Sequence, residues 1–579
     1  MKHFVEQCLH SVINASKKLN VEIFVVDNNS VDGSVPFIKQ KFPQVKLIEN
    51  KTNTGFSVAN NQGIKQSSGK YVLLLNPDTV VQEDTFEKII EFMNEHPDAG
   101  GLGIKMVDGK GNFLPESKRG LPTPAVAFYK IFWLAKLFPK SKKFGQYHLT
   151  YLDKDKTHQI DVLSGAFMLL RKETLDKIGL LDETFFMYGE DIDLSYRITL
   201  GGYKNYYFAD SSIIHYKGES TKKSSVNYVI VFYKAMAIFA QKHFSSGNAK
   251  LFNFLIYLAI YLRATMAITG RFIKQSFFPA IDFALIIVGL FFIKDIYESQ
   301  FKFAENYYSE RLIGFAFPVY TLIWMFLNYL SGGYDKPFRF LKMIRGVLVG
   351  TAIILIIYSL LPENYRFSRA LILLGTAYTI LVYLLTRIIY NAAGISQFKF
   401  KTEQKSKRIV IIGSEEEFDR VFNLLKETRI NAGFVGFVSN NDNGVKHPFY
   451  IGNFNQINEV VDVHAINEII FCAKNISSQN IIEKMLTLVT KGVDFKIAPP
   501  ESLSIIGSNS IDTAGDLYVI DINNVGKPEN RRKKRLYDLA SSGQMHIFSP
   551  LLILRQKNKL NYISNCFKVL LGIYSWVGY

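Results

Sequence analysis

Three carboxylates fall within four residues, Glu190, Asp191 and Asp193, directly behind the aromatic side chains of Phe185, Phe186 and Tyr188. Burying an acid beside an aromatic run penalises its charged form, so one carboxylate of this cluster is expected to have a raised pKa suited to taking a proton. The same pattern also fits an ordinary acidic helix start, because acids favour the first turn of a helix. Two further acids close apolar runs: Asp27 ends EIFVVD (22–27), and Asp78 follows YVLLL (71–75) through Asn76 and Pro77. Carboxylates converging at strand ends suit a nucleotide and a divalent cation. Magnesium and manganese favour oxygen ligands and usually bind through one or two carboxylates plus diphosphate oxygens, so Asp78 alone can suffice on the protein side. Acids at strand ends also serve merely to end strands and cap helices, so position alone leaves both readings open.

The elements that would position these groups alternate between strand and helix. EIFVVD and YVLLL are short apolar runs that stop at polar residues, as buried parallel strands do, and Pro77 cannot continue a ladder. Helix-length segments at 35–41, 58–66 and 83–94 lie between and after them. This order implies a doubly wound α/β sheet, whose ligands sit outside the carboxyl ends of the strands, where Asp27 and Asp78 both fall.

Six stretches extend the pattern: VVDNNSVDGS (25–34), NTGFSVANNQGI (53–64), LLLNPD (73–78), SGAFMLLRKE (164–173), FFMYGEDIDLSYR (185–197) and HYKGES (215–220). In this order, across nearly the whole of residues 1–245, they resemble the family 2 glycosyltransferases, in particular their rhamnosyltransferase-like branch. The resemblance implies a GT-A fold in which Asp27 contacts the nucleobase of the donor. It places Asn29, Gly55, Asn61 and Gly165 in the donor-binding region as well. Asp78, the last residue of a DxD-like motif, would hold a Mn or Mg ion on the diphosphate, with His215 lining the metal or diphosphate site. Asp191 is the implied general base; Glu190 and Asp193 are the alternative candidates, with orientation of the loop as their other role. The implied reaction is an inverting single displacement from a UDP- or dTDP-sugar to a polyprenyl-linked glycan acceptor in cell-surface polysaccharide synthesis.

The chain departs from that pattern twice. Asn76 replaces the first acid of the DxD motif. The opening MKHFVEQCLHSV reads as the first helix, without the strand and base-holding loop that precede it in the family. Either the start codon is assigned too late or part of the donor pocket is lacking, and losing a central strand should weaken the sheet.

The remaining residues point to a membrane. A chain of 579 residues exceeds one hydrophobic core, and at roughly 150 residues per domain three or four units are expected. Aromatic content of 14% is high for a chain with 21% charged residues, and the apolar residues concentrate at 251–390. The net charge of +17 comes largely from Lys and Arg beside these segments, where they would meet anionic lipid headgroups, so membrane lipid rather than nucleic acid is the expected partner.

Apolar stretches at 251–270, 278–293, 312–331, 344–361 and 369–389 each approach bilayer length. Lys336, Arg339, Lys342 and Arg345 make one connection cytoplasmic, and Lys399, Lys401, Lys405, Lys407 and Arg408 do the same after the last stretch. Four spans from about 278, with both chain ends inside, follow from that bias. The first stretch, interrupted by Arg263, then reads as an interfacial or re-entrant helix, the alternative being a fifth span. Cys8, Cys472 and Cys566 are too far apart for a zinc or disulfide framework, and the first 25 residues lack the apolar core of a signal peptide. The expected location is a bacterial inner membrane, multi-pass, with the soluble domains in the cytoplasm.

The expected divisions are 1–245 (glycosyltransferase domain), 246–276 (interfacial helix and linker), 277–390 (transmembrane block of about four helices), 405–525 (Rossmann-like α/β domain) and 526–579. In the fourth, only Gly413 stands where a GxGxxG dinucleotide motif needs three glycines, and the acids at 415–417 would repel a pyrophosphate. The last, with RRKKRLYDLASS (531–542), SPLLIL (549–554) and SWVGY (575–579), resembles the polyprenyl-phosphate sugar phosphotransferases but lacks their Asp-Glu catalytic pair. It reads as a degenerate or truncated phosphotransferase-like segment that anchors and positions. An initiating phosphotransferase and a catalytically inactive assembly scaffold are the alternative functions.

Overall fold

The computed structural model describes residues 2–131, 134–216, 226–244, 246–303, 307–335, 338–395, 407–427, 432–440, 447–507, 518–519, 528–549, 559–570 and 575–576. Residues 217–220 of HYKGES, the linker 396–406 and most of SPLLIL and SWVGY lie outside them. The chain forms two compact units: Met1–Met266 with Ser406–Ile520, and Ala267–Lys405 with Asp521–Tyr579.

The first unit opens with α1 (Lys2–Ala15), β1 (Phe24–Asp27), α2 (Ser34–Lys41), β2 (Lys46–Glu49), α3 (Phe56–Gln66), β3 (Tyr71–Leu75), β4 (Thr79–Val81) and α4 (Thr85–Glu95). The long β5 (Ala99–Val107) precedes two short helices, α5 (Pro124–Ile131) and α6 (Leu134–Leu137). There follow β6 (His158–Ile160), β7 (Phe167–Arg171), α7 (Lys172–Ile178), α8 (Glu190–Leu200), β8 (Lys204–His215) and α9 (Val226–His243). This is the expected α/β sheet domain, with a mixed sheet ordered β3-β7-β5-β8-β4 and β6 added on β8. Strands β5 and β8 run parallel, whereas β3/β7 and β4/β8 are antiparallel.

Strands β1 and β2 pair in parallel as a sheet of their own, with Asp27 opposite Glu49. Among the described residues no ladder joins β1 to β3. Side chains join them instead. Helix α3 sets Gly63 beneath Phe24 and Val26 of β1, and sends Ile64 into a core with Val72 and Leu74 of β3. On another flank, Cys8, Val12 and Ala15 of α1 pack with Ile23, Leu73 and Leu75.

Helix α8 begins where Gly189 adopts φ 88°, and its first turn holds all three acids of the cluster, which suits the positive end of the helix dipole. Asp193 is fully buried and accepts from Arg197 at 2.7 Å, Lys242 at 2.8 Å and His243 at 2.7 Å. It therefore fastens α8 to α9.

The membrane-type segment begins with α10 (Ser246–Tyr297), followed by α11 (Glu310–Ser331), α12 (Phe340–Leu360) and α13 (Arg369–Ala392). Among the described residues, four helical segments are long and apolar enough to cross a membrane: Ser276–Lys302, Glu310–Ser331, Phe340–Leu360 and Glu363–Ala392. The stretch 251–270 continues into the first of them without a break, as one 52-residue helix. Inside the second unit, Trp324 donates to Thr351 at 2.9 Å, and Thr351 meets Thr376 at 2.8 Å. Asp282 and Arg387, both fully buried, pair at 2.7 Å, and Tyr334 donates to the same carboxylate at 3.1 Å.

The second α/β domain comprises β9 (Lys407–Gly413), α14 (Glu415–Glu427), β10 (Ala432–Ser439), β11 (Tyr450–Asn453), α15 (Ile457–Val463) and β12 (Glu468–Cys472). It continues through α16 (Ser478–Leu488), β13 (Asp494–Ala498), β14 (Ser504–Gly507) and β15 (Tyr518–Val519). Its seven strands are ordered β11-β10-β9-β12-β13-β14-β15, parallel through β13 and antiparallel at β14 and β15. The chain then returns to the second unit with α17 (Pro528–Ile547) and α18 (Lys559–Leu570), which pack together. Arg532 of α17 forms an ion pair with Asp335, the one acid of the basic connection 332–345.

Candidate active site

The ends of β1 and β3 and the head of α8 are tied into one cluster. Asp27 is buried and accepts from the Ser30 amide at 3.0 Å, which closes the loop after β1. Asn29 in that loop is exposed and takes φ 66°. Asn28 donates to the Gly55 carbonyl at 3.1 Å, linking this loop to the head of α3. Gly55 has φ 88°, and a Cβ there would stand 2.6 Å from the Phe186 carbonyl oxygen, so only glycine permits the approach. The Phe56 amide donates to that same carbonyl at 2.8 Å, and Ser57 donates to the Phe185 carbonyl at 2.9 Å. The aromatic run is thereby strapped to α3.

Gly165 lies between Phe56 and Asp191: a Cβ there would be 3.6 Å from Asp191 Cβ and 3.7 Å from the Phe56 ring. Its amide donates to Asp191 Oδ2 at 3.3 Å. The neighbouring Ala166 carbonyl accepts from the Asn76 amide at 3.0 Å, which brings the Asn-Pro-Asp turn after β3 to the same place.

Arg119, between β5 and β6, is the largest addition to the sequence-derived set. Its guanidinium donates both to Asp191 Oδ2 and to the Leu163 carbonyl. A basic residue 72 positions from its partner leaves no spacing signal, so only the fold reveals it. Asp191 Oδ1 accepts from the Ile192 amide at 2.9 Å. One carboxylate oxygen is therefore clamped, while the other keeps lone-pair capacity for a hydroxyl.

The adjacent Glu190 is in a different environment. It is buried, and its Oε2 has no hydrogen-bond partner. Burial first, and then the Asp191 charge beside it, push its carboxyl up to about 8. Its carboxyl is thereby shifted toward the protonated form, in which it can donate a hydrogen bond. The raised carboxyl anticipated behind the aromatic run is thus Glu190.

Asp78 stands at the start of β4, next to the register pair Thr79 and His215. Its carboxylate is buried at 1% exposure and neither oxygen accepts a hydrogen bond. His215 Nε2 is 3.5 Å from Oδ1. A buried carboxylate without donors is costly unless a cation compensates it, so this pair fits a divalent ion whose other ligands come from a diphosphate. Among the described residues no group of three or more His, Cys, Asp or Glu could hold a metal by itself.

Asn61 is placed elsewhere. It is buried at 3%, donates to the Leu181 carbonyl and to Glu183, both at 2.9 Å, and accepts from the Leu181 amide at 3.1 Å. Its amide pins α3 to the turn before the aromatic run.

The family model described as glycosyl transferase family 2 matches residues 2–179. The chain is 26% identical over 259 residues to the N-acetylglucosaminyl-diphospho-decaprenol L-rhamnosyltransferase of Mycobacterium tuberculosis, covering 43% of this chain and 83% of that protein. It is 26% identical over 203 residues to the poly-beta-1,6-N-acetyl-D-glucosamine synthase of Staphylococcus epidermidis, covering 34% of this chain and 43% of that protein. Among solved structures, S. aureus TarS 1-349 aligns over 67% of this chain and 88% of its own at 16% identity, with a TM-score of 0.29.

Proposed function

We propose that the amino-terminal domain, a family 2 glycosyltransferase domain and hence the enzymatic part of this chain, builds a cell-surface glycan by moving a sugar, with inversion, from a nucleoside-diphosphate donor to a polyprenyl-linked acceptor. The observation that carries this reading is Asp78, a buried carboxylate without hydrogen-bond donors, beside His215 at the carboxyl end of the sheet. The activity for which the mycobacterial relative is named supplies the acceptor class, a lipid diphosphate carrying a sugar. Four apolar helices long enough to cross a bilayer would hold the enzyme where such an acceptor lies, and tethering raises its local concentration. The basic connection 332–345 supports a cytoplasmic location for the catalytic domain.

In this reading Asp27 takes the base of a UDP- or dTDP-sugar, while Asp78 and His215 are the residues that would hold a Mn or Mg ion at the diphosphate. Such an ion, when bound, offsets charge developing on the departing nucleoside diphosphate. Arg119 and the Gly165 amide orient Asp191, whose Oδ1 takes the proton of the acceptor hydroxyl as that oxygen attacks the anomeric carbon. Glu190, protonated, keeps a second negative charge away from the base.

The test is the Asp191→Asn variant in membranes supplied with labelled donor and lipid-linked acceptor. Transfer should fall about a hundredfold or more, while metal-dependent thermal stabilisation by UDP or dTDP persists. Unchanged turnover would remove Asp191 from its role. Absence of both nucleotide binding and transfer in folded wild-type protein would instead favour an inactive scaffold.

A further inference from the structure

The second α/β domain belongs to the same compact unit as the strands that carry Asp78 and His215. One apolar cluster runs through both. It joins Phe4, Val80, Ile214 and Tyr216 to Met485 and Phe495, among others. Polar contacts fix the same seam. Glu83, just after β4, accepts from the Ser478 amide at 2.7 Å and the Gln479 amide at 3.0 Å, so it caps the first turn of α16 across the two domains. Lys110 pairs with Asp494 at 3.4 Å, and Ser502 donates to Glu6 at 3.2 Å. Gly111, with φ 79°, sits so close that a Cβ would be 2.8 Å from the Met485 carbonyl oxygen.

This seam lies directly behind the candidate metal pair. Val80 and Glu83 follow Asp78 in the chain, while Ile214 and Tyr216 flank His215. The Tyr216 amide donates to the Asp78 carbonyl at 3.0 Å, and the Tyr216 ring meets Phe4 edge-on at 5.4 Å. Strand β4 has three residues and ends the order of its sheet, with β8 as its ladder partner. So short a margin strand has little hydrogen bonding with which to hold its shape and depends on what covers it.

We infer that the carboxyl-terminal α/β domain is a working part of the transferase unit: through α16 and Glu83 it positions the β4/β8 pair that presents Asp78 and His215. The inference rests on the proposed role of those two residues in holding a cation on the donor diphosphate. In it Glu83 and Met485 are positioning residues that do not touch substrate.

The experiment uses the full chain in nanodiscs and measures binding of Mn2+ with UDP and with dTDP by electron paramagnetic resonance, at a temperature where circular dichroism shows every variant folded. Glu83→Ala and Met485→Ala should each weaken binding about fivefold or more and raise the donor KM more than they lower kcat, with Glu83→Gln intermediate. Val421→Ala supplies the contrast, since Val421 is fully buried with Phe418 and Ile411 in a separate core of the same domain. It should lower the melting temperature and leave Mn2+·nucleotide affinity unchanged. Wild-type affinity in both seam variants would overturn the inference, and so would an equal loss in Val421→Ala, which would mark a global effect. Failure of the wild type itself to bind Mn2+ with either nucleotide would overturn the donor-site reading beneath it.

Discussion

Glu190 and Asp191 are neighbours in the chain, yet the first turn of α8 sends one into the interior and the other onto Arg119. The raised carboxyl of Glu190 has a stability consequence with a definite sign. Its folded-state value of about 8 lies above the ordinary 4.5, so the stability tied to its protonated form is complete below about 4.5 and is lost as pH rises through about 8. Glu190→Gln should therefore gain melting temperature relative to wild type between pH 6 and pH 9, with little difference at pH 5. Parallel melting curves across that range would mean the carboxyl is not held neutral. The aromatic run before the cluster was enough to anticipate one raised acid. It could not say which, because that depends on helix phase and on a guanidinium that arrives from another part of the chain.

At the level of elements, the legible parts were those whose apolar pattern is local. YVLLL became β3 at its stated ends, and the helix-length segment 58–66 became the body of α3. Less legible were pairings between distant segments, such as the insertion of β7 between β3 and β5, which needs residues nearly a hundred positions apart. Asn61 shows the same limit at the site. Its place within NTGFSVANNQGI suggested the donor, whereas the turn at 181–183, which only the fold brings near, occupies its amide. Asn61→Ala should cost about 1–3 kcal/mol of unfolding free energy, since buried partners are left unpaired. Nucleotide affinity measured on the folded variant should stay within about twofold of wild type; a large loss there with stability intact would return Asn61 to the donor pocket.

Across the whole molecule, the membrane-type bundle carries its own polar commitment. Asp282 near the start of the first candidate span and Arg387 near the end of the last are both fully buried and paired, with Tyr334 on the same carboxylate. Removing one partner strands a charge, so Asp282→Ala should destabilise the bundle by about 3–5 kcal/mol, read as earlier unfolding in a detergent titration. Adding Arg387→Met should recover most of that loss, because replacing the pair together leaves no lone ion. No recovery would indicate that the pair does more than hold helices together.

The two sheets of the amino-terminal domain give the donor site a particular mechanical character. Asp27 rides on the β1/β2 ribbon and Asp78 on the larger sheet, and what joins them is packing by α1 and α3 together with the Asn28–Gly55 and Ser68–Glu22 hydrogen bonds. Side-chain packing yields more readily to shear than a continuous ladder does. A nucleotide gripped at its base by one sheet and at its diphosphate by the other would act as a cross-brace, and part of its binding free energy would go into stiffening the domain.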